Sequence, residues 1–153
     1  MNNEFYNNSD RICLLIEEIN KITNKEGIYE GYKAEAPFVY TNGKCYYFAR
    51  ALHEIIPNST LYETQNGAHI IIKIGEDFYD AEGLIYSYGY LKQLNPFPLD
   101  LNDDYDIDML HINVANSYDD QYLLPRVIKI AKKADEIVKN RLGYDQENIK
   151  KKR

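Results

Sequence analysis

Apolar residues recur at helical spacing in three segments of the chain. Residues 10–23 carry them at i, i+3, i+4, i+7 and i+10, as Ile12, Leu15, Ile16, Ile19 and Ile22. This period predicts an amphipathic helix, which Ser9 can cap. A second helix is predicted over residues 44–56, stopped before Pro57. A third is predicted over residues 125–142, because Pro125 is acceptable in a first helical turn and Gly143 can end it.

Short β-type segments lie between the second and third helices. Strands are predicted over residues 60–64, 68–74 and 77–82, and a fourth over residues 109–115 after an acidic connection. Residues 24–43 show no periodicity and are predicted to form a long loop. The order helix, helix, strands, helix predicts an α+β fold, in which helices pack on a small antiparallel sheet.

Length, charge and cysteine content restrict the class of protein. The 153 residues suit one domain, predicted over residues 1–143, with a basic C-terminal tail over residues 144–153. A net charge of −6 argues against nucleic-acid binding through a cationic surface. No apolar run approaches the ~20 residues of a membrane span, and the polar N-terminus does not resemble a signal peptide. Two cysteines make no disulfide framework, so we expect a cytoplasmic protein with free thiols.

One hairpin determines which polar side chains can meet. Gly75 suits the first central position of a two-residue type II′ turn, which pairs Ile74 with Asp77. Side chains alternate along strands, so this register places His69 and Asp80 on one face as diagonal neighbours. An imidazole–carboxylate hydrogen bond is then within reach.

Cys45 lies in the first turn of the second predicted helix, on its apolar face. The partial positive charge of a helix N-terminus favours a thiolate and can hold an oxyanion. A nearby imidazole can take the thiol proton, and a carboxylate can orient the imidazole. Cys45, His69 and Asp80 supply these three groups in chain order.

A Cys opening a helix, a His starting a strand and an Asp on the next strand resemble the core of papain-like and transglutaminase-like thiol enzymes. The resemblance covers about residues 42–83. It implies a papain-like or transglutaminase-like core and acyl transfer through a thioester, with Cys45 as nucleophile, His69 as base and Asp80 as orienting residue. The family's oxyanion Gln, six positions before the Cys, is replaced by Val39. The hole would therefore need the Cys45 N–H and another donor, for which Asn42, Tyr40 and Gln65 are candidates.

Metal and cofactor chemistry are not expected. His53 follows Cys45 on the same side of the helix, but no closely spaced zinc ligand pair exists. His111 is interpreted as a residue on a solvated strand face, and as the substitute base should His69 not serve. We therefore predict a cysteine hydrolase or acyltransferase that cleaves an amide or isopeptide bond, as a peptidase or protein deamidase acting on a protein or peptide substrate. The alternative is a non-enzymatic phage or mobile-element accessory protein that keeps the fold and binds a host protein.

Overall fold

The helices of the computed structural model follow the apolar stripes of the sequence. The structure describes residues 4–27, 35–41, 44–64, 69–100 and 117–143. Within these ranges the helices are α1 (Ser9–Glu26), α2 (Ala36–Thr41), α3 (Cys45–Ile55), α4 (Tyr88–Leu94) and α5 (Ser117–Arg141). The helices predicted over residues 10–23 and 44–56 are confirmed as α1 and α3.

The two ends of α1 differ from the sequence prediction. Asn8, rather than Ser9, is the N-cap, and its side chain accepts the N–H of Arg11 at 3.0 Å. Asn8 can do this because its backbone is extended, whereas Ser9 is already helical. The helix continues to Glu26 and ends at Gly27, whose φ of +67° is the left-handed conformation of a helix C-terminus.

Two further predictions are corrected by the described residues. Residues 24–43 are not one long loop, since α1 extends into them and α2 forms within them. The last helix does not open at Pro125, because α5 begins at Ser117 and contains this proline. An interior proline lacks the N–H of one helical hydrogen bond and crowds the carbonyl four residues earlier, yet the residues on both sides of Pro125 are helical.

The strands form one antiparallel sheet in the order β4-β3-β2-β1-β5. They are β1 (Ser59–Glu63), β2 (Ile70–Ile74), β3 (Asp77–Asp80), β4 (Gly83–Leu84) and β5 (Phe97–Pro98). The strands predicted over residues 60–64, 68–74 and 77–82 are confirmed as β1, β2 and β3, with different ends. The strand predicted over residues 109–115 and the tail over residues 144–153 lie outside the described residues.

Helix α3 lies at the centre of the molecule. It packs on β1, β2 and β3, and it also contacts α2 and α5. Tyr47, Ala51 and Leu52 of this helix are completely buried. Helix α1 packs on α5 and on the short strand β4. The first turn of α3, which carries Cys45, is buried as well. In the described ranges, no helix combines the length and apolar character needed to cross a membrane.

Candidate functional site

The hairpin between β2 and β3 has the register that the sequence predicts. Ile74 pairs with Asp77, and Ile72 pairs with Tyr79. Gly75 opens the two-residue turn at φ +63°, while Glu76 is not at positive φ, as a type II′ turn requires. Side chains on this hairpin therefore alternate as expected, and His69 and Asp80 meet at its open end.

Asp80 holds its carboxylate in one orientation. Its Oδ1 accepts the backbone N–H of Glu82 at 2.9 Å, while its Oδ2 lies 3.4 Å from Nε2 of His69. The side chains of His69 and Asp80 are only 12% and 14% exposed. Because one carboxylate oxygen is held by the chain itself, the other is presented to the imidazole in a fixed direction.

The surroundings of His69 raise the pKa of its imidazole above the ordinary value. Burial lowers the pKa of its imidazole, but the hydrogen bond to Asp80, the interaction with the Cys45 thiol and the charges of these two groups outweigh burial and raise it to about 9. Its Nδ1 is buried and has no hydrogen-bond partner in the described part of the chain. With Nε2 directed at Asp80, Nδ1 is the nitrogen left for the Cys45 sulfur.

Cys45 is the first residue of α3 and is 2% exposed. Its Sγ accepts the backbone N–H of Ile70 at 3.3 Å. The N-cap residue Lys44 supplies no side-chain hydrogen bond to the helix end. The sulfur therefore lies at the positive end of a helix, accepts a backbone N–H and adjoins the His69 imidazole.

The β2–β3 ladder separates where Cys45 meets it. Continuing the register would place Ile70 opposite Ala81, but β3 ends at Asp80. The N–H of Ile70 instead donates to Cys45, and the carbonyl of Ala81 accepts Nδ2 of Asn20 at 2.9 Å. Asn20 on α1 thus satisfies a carbonyl that β2 leaves without a ladder partner.

Sequence reasoning missed Asn20, although its position carries a signal. It follows Ile16 by four residues and Ile19 by one, so it lies on the apolar stripe of α1. An amide on a buried stripe must find hydrogen-bond partners. Asn20 is 9% exposed, and its Oδ1 has none among the described residues.

The three oxyanion candidates have different positions relative to the site. The Tyr40 ring packs on Phe48, and its hydroxyl lies 2.9 Å from Oγ1 of Thr23. Thr23 gives its own proton to the carbonyl of Ile19, so Tyr40 must donate to Thr23 and has no proton left for an oxyanion. Asn42 and Gln65 lie outside the described residues.

The remaining candidate residues lie apart from the cluster or outside the described residues. Nδ1 of His53 is 2.8 Å from Oγ of Ser59, just after the end of α3. Burial, followed by the charge of Arg50, lowers the pKa of His53. Cys13 is half-buried on α1, and a Cβ at Gly83 would lie 3.9 Å from its sulfur. His111 lies outside the described residues.

The fold and site define an α+β protein in which a buried cysteine and a partly buried histidine–aspartate pair lie at the junction of α3 with the open end of a hairpin. Residues 15–131 match the model of the Phage YunG-like protein family. These residues make up most of the chain, which therefore belongs to this family. No curated protein and no solved structure matches it.

Proposed function

We propose that this protein is a thiol-dependent acyl-transfer enzyme, with Cys45 as nucleophile, His69 as acid and base, and Asp80 as the residue that orients His69. The favoured reaction is hydrolysis of an amide or isopeptide bond, by peptide cleavage or side-chain deamidation. The supporting observation is the position of His69 between Asp80 and the Cys45 thiol. Its Nε2 faces Asp80, and its buried Nδ1 has no hydrogen-bond partner among the described residues, which leaves Nδ1 to interact with the thiol. A papain-like or transglutaminase-like core is part of the same proposal.

Each group has one role in the proposed reaction. The Cys45 thiolate attacks the substrate carbonyl carbon, and its electrons move to the carbonyl oxygen. The Cys45 N–H is one proposed oxyanion donor, with Asn42 or Gln65 as the second. As the intermediate collapses, imidazolium His69 gives its proton to the leaving nitrogen, and a thioester remains. His69 then takes a proton from water, whose oxygen attacks the thioester and releases the thiolate.

A non-enzymatic role is the second candidate. The chain belongs to a phage family, and Cys45 is almost completely buried, which suits a structural thiol. In this alternative the protein is a phage accessory protein that keeps the fold and binds a host protein. The same Cys–His–Asp cluster would then only satisfy buried polar groups.

A thiol-reactive amide-type electrophile tests between the two functions. Cys13 is more exposed than Cys45, so accessibility alone predicts faster labelling of Cys13. The enzyme proposal predicts the reverse at pH 7, with labelling retained in Cys13→Ser and lost in Cys45→Ser. His69→Gln should slow labelling of Cys45, whereas the matched His53→Gln should not. Preferential labelling of Cys13 in the wild-type chain contradicts the enzyme proposal.

A further inference from the structure

One peptide group connects helix α1 to the carboxylate of Asp80. The carbonyl of Ala81 and the N–H of Glu82 belong to this group, because they flank the same peptide bond. The carbonyl accepts Nδ2 of Asn20 at 2.9 Å, and the N–H donates to Oδ1 of Asp80 at 2.9 Å. No peptide bond among the described residues is cis, so the carbonyl and the N–H point in opposite directions. The Ala81–Glu82 peptide group is therefore held from both sides.

These contacts form a continuous chain of hydrogen bonds that ends at His69. Asn20 donates to the peptide group, and the peptide group donates to Oδ1 of Asp80. The other carboxylate oxygen, Oδ2, lies 3.4 Å from Nε2 of His69. A peptide group whose carbonyl accepts a hydrogen bond is polarised and donates more strongly through its N–H. A donor on α1 thus acts on the His69–Asp80 pair through one planar group.

The carbonyl of Ala81 depends on the protein for its donor. Ala81 is 2% exposed and Asn20 is 9% exposed, and a buried carbonyl needs a hydrogen-bond partner. Asn20 supplies the donor although its own Oδ1 has no partner among the described residues, which is unfavourable for a buried acceptor. An apolar side chain on this buried stripe of α1 would avoid the unpaired Oδ1 but would leave the carbonyl without a donor.

We propose that Asn20 is a positioning residue for the His69–Asp80 pair. Its amide holds the Ala81–Glu82 peptide group, and this group fixes the direction in which the Asp80 carboxylate faces the imidazole. Without the amide, the peptide group can rotate, its N–H leaves Oδ1, and the carboxylate can turn about its Cβ–Cγ bond. This role rests on the proposed function, in which Asp80 orients His69.

Variants of the full-length chain test this role without using the reaction. Asn20→Leu removes the donor and fills the space of the amide, so that water does not replace it. Asn20→Ala removes the same donor with a smaller side chain and is the second variant. Ile19→Val is the matched control, because it removes one buried methyl group from the same helix and no hydrogen bond.

Hydrogen exchange of the Glu82 amide measures the step at the peptide group. Its rate is divided by that of Ile72, whose amide lies in the central strand β2 and reports opening of the whole fold. This ratio should rise about tenfold in Asn20→Leu, because the Glu82 N–H loses its fixed acceptor. It should keep the wild-type value in Ile19→Val.

The pKa of His69 measures the step at the carboxylate. Burial lowers this pKa, and the hydrogen bond to Asp80 is the largest of the causes that raise it to about 9. A carboxylate that turns away from Nε2 weakens this bond, so the pKa of His69 should fall by about one pH unit in Asn20→Leu. It should not change in Ile19→Val.

The proposal requires both changes in the asparagine variants. A wild-type exchange ratio or a wild-type His69 pKa in Asn20→Leu overturns it, and so does an equal change in Ile19→Val. If Asn20→Leu does not fold, the same outcomes in Asn20→Ala decide. Labelling of Cys45 tests the enzyme and neither NMR readout uses it, so the role of Asn20 and the proposed function fail separately.

Discussion

The backbone N–H of Ile70 donates to Sγ of Cys45 at 3.3 Å, at the point where the β2–β3 ladder ends. This contact fixes the sulfur against the sheet and gives it one backbone donor. Because the two strands separate here, the Ala81 carbonyl accepts a hydrogen bond from the side-chain amide of Asn20. The chain can also turn after Asp80, whose Oδ1 accepts the N–H of Glu82. The end of the β2–β3 ladder therefore positions both the Cys45 thiol and the Asp80 carboxylate.

The pKa values of His53 and His69 should lie on opposite sides of the ordinary histidine value of about 6.5. Hydrogen bonding to Asp80 and the Cys45 interaction outweigh burial and raise the pKa of His69 to about 9, whereas burial lowers that of His53. Imidazole 1H–13C NMR spectra recorded from pH 5 to pH 10 measure both, with His53→Gln and His69→Gln giving the assignments. A His69 signal that titrates below 6.5 would contradict the charged imidazole on which the proposed reaction depends.

The raised pKa of His69 also predicts a pH-dependent part of the stability. Because the folded value of about 9 exceeds the unfolded value of about 6.5, the folded state binds the proton more tightly. The contribution is complete below about pH 6.5 and is lost as pH rises through about 9. Urea unfolding of wild type and His69→Gln should show their difference in unfolding free energy shrinking by on the order of 2 kcal/mol between pH 6 and pH 9. A difference independent of pH would mean that folding does not change the pKa of His69, and a difference that grows with pH would mean that folding lowers it.

Local patterns were enough to predict the parts of the structure that depend on neighbouring residues. The apolar stripes predicted α1 and α3, and Gly75 predicted the turn that brings His69 to Asp80. The length of the turn alone decides which side chains of the two strands share a face, so the pairing of His69 with Asp80 could be predicted without any tertiary information.

The missed features depend on contacts that are distant in the chain. Strands β4 and β5 have two residues each and exist only by pairing with β3 and β1. Pro98 in β5 is tolerated at a sheet edge, although a proline argues against a central strand. Asn20 and Ala81 are 61 residues apart, and only the packing of α1 beside the hairpin brings them together.

Asn20→Ala should destabilise the protein by about 1–3 kcal/mol. The substitution leaves the Ala81 carbonyl buried without its donor, and an unsatisfied buried acceptor costs about this much. Urea unfolding measures the loss against Asn140→Ala, a matched change at an exposed position of α5, which should stay within about 0.5 kcal/mol of wild type. If the two variants are equally stable, Asn20 does not hold the open end of the hairpin.

Pro125→Ala should stabilise the protein by about 1–3 kcal/mol. Pro125 is exposed and lies inside α5, where proline lacks an N–H and crowds the carbonyl four residues earlier. Alanine restores one helical hydrogen bond without changing the buried face. Thermal and urea unfolding measure the gain. A helix that began at Pro125 would place this residue in its first turn, and the substitution would then change stability by only a few tenths of a kcal/mol.

Asp80→Asn should distinguish a role of Asp80 in orienting His69 from a role in stabilising the hairpin. The amide oxygen can still accept the N–H of Glu82, which leaves Nδ2 to face Nε2 of His69. A donor in this position favours the imidazole tautomer with its proton on Nδ1, so the pKa of His69 should fall towards 6.5. The melting temperature should stay close to that of wild type.

The expected loss of Cys45 reactivity in Asp80→Asn is intermediate. In serine proteases the equivalent change costs about 10⁴ in turnover, but a thiol gives up its proton more readily than a serine hydroxyl, so it depends less on an oriented base and should lose less. The rate of Cys45 labelling at pH 7 should therefore fall by about 10- to 10³-fold in Asp80→Asn. Cys45→Ala should lose labelling completely. Asp77→Asn, which alters an exposed carboxylate on the same strand, should label at the wild-type rate. If Asp80→Asn unfolds the chain while its folded fraction labels normally, Asp80 supports only the hairpin, and its assignment as the orienting residue is wrong.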